Sequence, residues 1–272
     1  MTAADAEPAA EMIRRGDWGE RRLFFEWALD RPTLAPLVAE RDGRIVGTGV
    51  GSAHGSVGWV GTIFVAPDQR RSGFGGALTR AVADELTARG CRTLVLIATP
   101  MGRPIYEREG FDLLDDQLRF TIHGVEAGEV PPDPRVRPFA ADDLPDAIAL
   151  DRAATGEDRA SILADLLTPV TTVVAVGDAG EVRGFLARAP WRGGALIAPD
   201  ANDAMLLLAE RRRHTGVSGT AGAGPLASNV EGRARLRAAG WLEERGGVRM
   251  IRGEPLVWNP DAIWGQFNGA LG

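Results

Sequence analysis

The chain contains no lysine; all 31 of its basic residues are arginine. A nucleotide-triphosphate loop, which ends in Gly-Lys-Ser/Thr, is therefore excluded. There is a single cysteine, Cys91, so no disulfide framework can form, and a reducing, cytoplasmic setting is expected. No run of 18 apolar residues occurs and the N-terminus lacks a signal-peptide core, so no membrane association is expected. Positive charge is not in excess. The net charge is -6 and the arginines are dispersed, which argues against a nucleic-acid partner. No metal site is expected. What remains is 272 residues, 44% hydrophobic and 25% charged, enough for two ordinary cores.

One stretch carries the most chemistry. Residues 59–65 are apolar and β-branched and read as a buried strand, which Pro67 ends because proline cannot donate to a sheet ladder. A basic, glycine-rich loop follows: Arg70, Arg71, Ser72, Gly73, Phe74, Gly75, Gly76, Ala77. Leu78, Val82 and Leu86 then fall at helical spacing. Strand, glycine loop and helix start build an anion site from backbone. Glycines let N–H groups approach a phosphate, and the helix N-terminus adds about half a positive charge. The dinucleotide fingerprint fails, since its third glycine falls on Leu78.

Before this stretch the sequence predicts a capped helix from Thr2, a second helix over 20–29 and an Asp42-Gly43 hairpin. After it come a helix stopped at Gly90, a strand over 91–98, a short helix over 104–109 and a strand over 118–122. Residues 124–134, with Pro131, Pro132 and Pro134, read as a linker. The chain then repeats itself. Ile197-Ala198-Pro199-Asp200 matches Val65-Ala66-Pro67-Asp68, and Arg237-Ala238-Ala239-Gly240-Trp241 matches Glu107-Arg108-Glu109-Gly110-Phe111. Two copies of one fold are expected, over 1–123 and 135–272. The first copy, read from Met1, has no counterpart of the edge strand that 135–138 supplies to the second, so either the natural start lies upstream or the first sheet is expected to lack that strand.

The run Arg70-x-x-Gly73-x-Gly75 after a Val-x-Pro strand end, with Tyr106 before Gly110-Phe111, resembles the GNAT superfamily of acyl-CoA-dependent N-acyltransferases. The resemblance implies two tandem GNAT-like α/β (α+β) domains, each a mixed, mostly antiparallel sheet flanked by helices. It also implies acetyl-CoA as co-substrate and transfer of its acetyl group to a primary amine of a small molecule at the junction of the copies. The backbone of Ile63, Phe64 and Val65 would pair with the pantetheine arm. The loop from Arg70 to Ala77 would take the pyrophosphate, Thr99 would touch the coenzyme, and Tyr106 would protonate the leaving thiolate. Residues Trp18, Phe24, Trp27 and His54 are candidates to face the acceptor. No acid or base lies in 59–65, so the general base stays open among His54, Asp17, Glu20, Glu26, Asp30, a water chain, or none. The other functions kept open are a protein N-acetyltransferase and a non-catalytic acyl-CoA binder. A monomer or homodimer is expected.

The second copy works as an internal control. Its loop reads Asp200-Ala201-Asn202-Asp203, without arginine or Gly-x-Gly, and Leu236 stands where Tyr106 would be. It is expected to bind no coenzyme. Two further features have structural readings: Asp158 as a helix cap, and Arg211-Arg212-Arg213 as a solvated helix end.

Overall fold

The computed structural model describes every residue except Ala127, which falls in the expected linker, and Arg192. The chain begins with α1 (Ala6–Arg15), α2 (Arg22–Leu29), β1 (Leu34–Arg41), β2 (Arg44–His54), β3 (Val57–Val65), α3 (Phe74–Ala88), β4 (Thr93–Ala98), α4 (Arg103–Arg108) and β5 (Asp112–Asp116). It continues through β6 (Arg119–His123), β7 (Val136–Pro138), α5 (Leu144–Thr155), α6 (Ala160–Leu166), β8 (Thr172–Val176), β9 (Val182–Ala187), β10 (Leu196–Ile197) and α7 (Ala201–Thr215). It ends with β11 (Thr220–Ala223), α8 (Val230–Ala238), β12 (Leu242–Glu244), β13 (Val248–Gly253) and β14 (Ile263–Gly265).

The fold is α/β, with mostly antiparallel sheets flanked by helices, in two units. Unit 1 comprises Met1–Leu114, Val248–Pro255 and Asn268–Gly272; unit 2 comprises Asp115–Gly247 and Leu256–Phe267. Strand order in the first sheet is β1-β2-β3-β4-β13-β5. The second unit carries β14-β10-β9-β8-β7 and a smaller sheet, β11-β6-β12.

These units are not contiguous stretches of sequence. The strand expected to close the first copy forms at Arg119–His123, but it pairs with β11 and β12 in unit 2. In unit 1 its place beside β4 is taken by β13, paired along the whole of β4 from Thr93↔Gly253 to Ala98↔Val248. Strand pairing is decided by backbone ladders, and two related copies offer each other equivalent edges.

The internal repeat is visible in hydrogen bonds. Thr2 N–H donates to Asp5 Oδ2 (2.6 Å), as Ala140 N–H does to Asp143 Oδ2 (2.7 Å). At the ends of α4 and α8, Gly110 and Gly240 both sit at φ +81°. The next residues close the same six-residue loop: Phe111 N–H to the Tyr106 carbonyl and Trp241 N–H to the Leu236 carbonyl, each 3.0 Å. The Asp42-Gly43 hairpin forms as expected, with φ of +52° and +71° and Arg41 paired to Arg44.

Two local expectations are corrected. Asp158 caps no helix; α6 starts at Ala160 with Arg159 at the N-cap position, while Asp158 pairs with Arg152 (2.9 Å). Burial explains this, because the Arg159 side chain is 1% exposed and its Nε and Nη2 donate to Asp151 at 3.0 and 2.5 Å. An unpaired buried guanidinium would cost far more than a cap contributes. Arg211 is likewise not a solvated helix end: it is half-buried and its Nη1 donates to the Gly222 carbonyl at 2.5 Å. Among the described residues, no helix is long and apolar enough to cross a membrane.

Candidate active site

Unit 1 brings the loop, the strand before it and α4 together. Arg44 draws the Asp68 carboxylate aside (2.5 Å) and holds it below the usual carboxylate range. The Ser72 hydroxyl donates to the Gln69 carbonyl, and Arg70 Nε reaches the Val65 carbonyl at 3.4 Å. Arg71 and Gly73 take positive φ (+63° and +89°), and Gly73 is the N-cap of α3. Only glycine adopts that backbone without strain. The first backbone bond of the helix runs from Ala77 N–H to the Gly73 carbonyl (3.0 Å). The N–H groups of Phe74, Gly75 and Gly76 therefore precede the intrahelical ladder, at the positive end of the helix dipole. A Cβ on Gly75 would stand 3.1 Å from Ile105 Cδ1, and one on Gly76 would stand 3.2 Å from Glu109 Oε1. The three glycines thus have different duties: Gly73 turns the chain, while Gly75 and Gly76 let α4 approach.

The strand leading into this loop is distorted. Gly61 pairs with Val50 and Phe64 with Thr48, so Thr62 and Ile63 together oppose the single residue Gly49. This is a β-bulge, and Thr62 is held at φ +50°. Thr48 Oγ1 secures it by donating to the Thr62 carbonyl at 3.0 Å. On its other side, β3 pairs in parallel with β4 from Val57↔Thr93 to Trp59↔Val95, where the ladder ends. Beyond Trp59 the strands separate, leaving Ile63, Phe64 and Val65 with one edge unladdered by β4. The bulge and its threonine clamp are features that the sequence reading missed; Gly49, opposite Thr62 and Ile63, is their sequence trace.

Tyr106 is buried, packs edge-on to Phe111 (6.2 Å, 69°) and belongs to the cluster with Val60, Leu96 and Ala98 from the separating strands. Burial pushes its phenol up to about 12. Thr99 is exposed at the end of β4, where its Oγ1 accepts from Gly102 N–H at 3.2 Å. Gly102 is itself against the Tyr106 ring, since a Cβ there would stand 2.9 Å from Cε2.

The four candidate acceptor residues do not form one cluster. Trp18 stacks on Phe64 (5.5 Å) with Arg21 over its ring, placing it beside the strand that enters the loop. Phe24 is 1% exposed and stacks under Trp27 (6.3 Å), which Arg31 covers in turn. His54 is buried at the end of β2, on the strand face shared by Thr48 and Ser52. Of the acids, Glu20 accepts from the Arg22 and Arg21 amides and from Arg14, contacts that hold its carboxyl low. Glu26 is paired with Arg22 (2.7 Å). Asp17 is exposed at φ +55°, and Asp30 is exposed at the end of α2.

Unit 2 shows what the same element order does without the loop. Eight residues, 66–73, separate β3 from α3, but only three, 198–200, separate β10 from α7. The Asp200 side chain caps α7 itself, accepting from Asn202 and Asp203 N–H at 2.7 and 3.4 Å. Its own carboxylate occupies the position an anion would need. Replacing it should therefore cost stability rather than reveal a site: Asp200→Ala is expected to lower unfolding free energy by about 1 kcal/mol in urea denaturation.

A bulged strand leading to a helix start without a side-chain cap, and a second unit of the same element order with a shorter connection capped by Asp200, define a tandem α/β protein. Residues 5–111 match the model of the "Acetyltransferase (GNAT) family" and 147–265 that of the "Acetyltransferase (GNAT) domain". The chain belongs to the GNAT family and carries two GNAT domains in tandem. Among curated relatives, it is 27% identical over 157 residues to the uncharacterized N-acetyltransferase YitH of Bacillus subtilis, covering 55% of this chain and 54% of that one. A Yersinia pestis acetyltransferase is 36% identical over 77 residues, covering 28% of this chain and 55% of that protein. The chain thus spans about half the length of these relatives. Among solved structures, a Pyrococcus horikoshii protein provisionally described as an acetyltransferase superposes with a TM-score of 0.82 at 20% identity, covering 100% of this chain and 94% of its own. A tandem GNAT protein from the clavulanic acid biosynthesis pathway gives 0.61 at 16% identity, covering 94% and 98%.

Proposed function

We propose that this chain is an acyl-CoA-dependent N-acyltransferase that moves an acetyl group from acetyl-CoA to a primary amine of a small molecule, using unit 1. The observation that carries the reading is the start of α3, where a positive-φ glycine and three amides follow a bulged, open-edged strand across the loop 66–73. The residues fit the coenzyme. Phe74, Gly75 and Gly76 N–H groups, with Arg70 and Arg71 at the rim, would hold its diphosphate. Backbone of Ile63, Phe64 and Val65 would take the pantetheine arm as an added strand. The coenzyme supplies a thioester, whose carbonyl needs orientation and an oxyanion donor more than it needs activation.

Tyr106 is the proton donor in this scheme. Its burial keeps the phenol protonated throughout the physiological range, so the proton is present when the thiolate leaves. Of the candidate acids, Glu20 and Glu26 are committed to arginines, which leaves Asp17 and Asp30. An amine that arrives neutral requires none. The test is release of free CoA thiol from acetyl-CoA with amino acids, polyamines, aminoglycosides and arylamines as acceptors. Release that depends on an amine is the expected result. Silence across the panel together with tight acetyl-CoA binding would instead identify a coenzyme sensor, and release only with protein or peptide acceptors would identify a protein acetyltransferase.

A further inference from the structure

Unit 2 has a cavity of about 250 Å³ between the C-terminal part of α7 and the strands β7, β8 and β9. Its lining includes the apolar residues Val136, Pro169, Val173 and Leu186 and the hydroxyls of Thr171, Thr172 and Thr215. It also includes the basic residues Arg188, Arg211 and His214. Among the described residues neither Arg188 nor Arg211 forms an ion pair. Arg188 donates to the Val170 carbonyl (2.9 Å) and Arg211 to that of Gly222. The other charges on the lining are already matched: Arg137 holds Asp143 at 2.7 and 2.8 Å, and Glu210 is paired with Arg213 and with His214. The balance is two uncompensated guanidiniums facing a partly apolar hollow.

Two like charges without a carboxylate partner favour the entry of an anion. Burial and the neighbouring Arg188 lower Arg211 to about 10, and they also hold His214 below its ordinary value. Burial is the larger cause in both cases, and the charge of Arg188 adds to it. We propose that this cavity binds a small organic monocarboxylate, its carboxylate between Arg188 and Arg211 and its apolar body against Val136, Val173 and Leu186. The hollow lies at the small end of ordinary ligand pockets and suits a small molecule. The buried Glu210 carboxylate in the lining opposes a dianion such as phosphate more strongly than a monoanion.

Benzoate, benzyl alcohol and inorganic phosphate are suitable probes, titrated calorimetrically into the full chain without coenzyme. Benzoate is expected to bind, and the ring signals of His214, but not of His54 or His123, should move in NMR spectra. Benzyl alcohol, of similar shape but neutral, should bind at least about tenfold more weakly, as should benzoate to Arg211→Met and to Arg188→Met. Should loss of the Gly222 contact unfold the first variant, the second still decides, because Arg188 is exposed. Equal binding of acid and alcohol, unchanged binding to Arg188→Met, or preference for phosphate would each overturn the assignment. None of these readings depends on acetyl transfer.

Discussion

Gly73→Asp should weaken acetyl-CoA binding by about 100-fold or more while leaving the fold intact. The substitution copies into unit 1 the residue type that caps the matching helix of unit 2. Asp200 satisfies the first amides of α7 with its own carboxylate. At the start of α3 those amides have no such partner, because the N-cap is a glycine. An introduced carboxylate would compete for the amides and repel a diphosphate, and each lost charge-assisted hydrogen bond is worth about 1.5–3 kcal/mol. Backbone strain is the rival cause, since Gly73 lies at φ +89°. Aspartate tolerates that region at a cost of about 1–2 kcal/mol, and a Cβ there meets nothing within 4 Å. Gly73→Asn separates the causes, having the same shape and strain without the charge. Calorimetry should find the asparagine variant much closer to wild type than the aspartate variant. If Gly73→Asp binds acetyl-CoA normally, the amides of α3 do not hold the diphosphate.

Much of this site is local, which is why it is legible in the sequence. A proline-ended strand, a glycine turn and a helix start lie within some twenty consecutive residues, and each is governed by backbone rules that act over a few positions. The Gly110-Phe111 and Gly240-Trp241 helix stops belong to the same class, and so does the Asp42-Gly43 hairpin. What could not be read is non-local. Nothing in residues 118–122 says that β6 pairs outside unit 1, because an apolar alternating strand fits any edge of matching register. The cation of Arg249 over Trp59 (4.9 Å) follows only from the arrival of β13 next to β4. The bulge is intermediate: Thr62 is an unexpected residue for φ +50°, and its anchor, Thr48, lies on a different strand. Arg211 shows the same limit. Three successive arginines look like a solvated helix end, and only the tertiary fold turns the first of them toward a cavity.

Tyr106→Phe should lower turnover by about tenfold or more without changing the dissociation constant of acetyl-CoA. The phenol is the proton donor in the proposed scheme, so its loss acts on the chemical step and not on binding, which the loop and strand supply. The direction of its titration makes this a sharp test. Burial disfavours the phenolate and raises the group from 10.0 to about 12, so the protonated, active form is full below pH 10 and lost only near 12. Turnover of the native chain should therefore show no fall from this group between pH 6 and about 9, and the deficit of the variant should be constant across that window. Stability follows the same sign. A folded value above the unfolded one contributes below pH 10 and is lost as the pH climbs toward 12, a loss that phenylalanine lacks. A purely structural Tyr106, packed on Phe111 as any core aromatic is, would show that alkaline difference in stability yet leave kcat alone. Equal kcat for Tyr106→Phe and the native chain would strip the residue of its chemical role, while the amides at Gly73 would keep theirs.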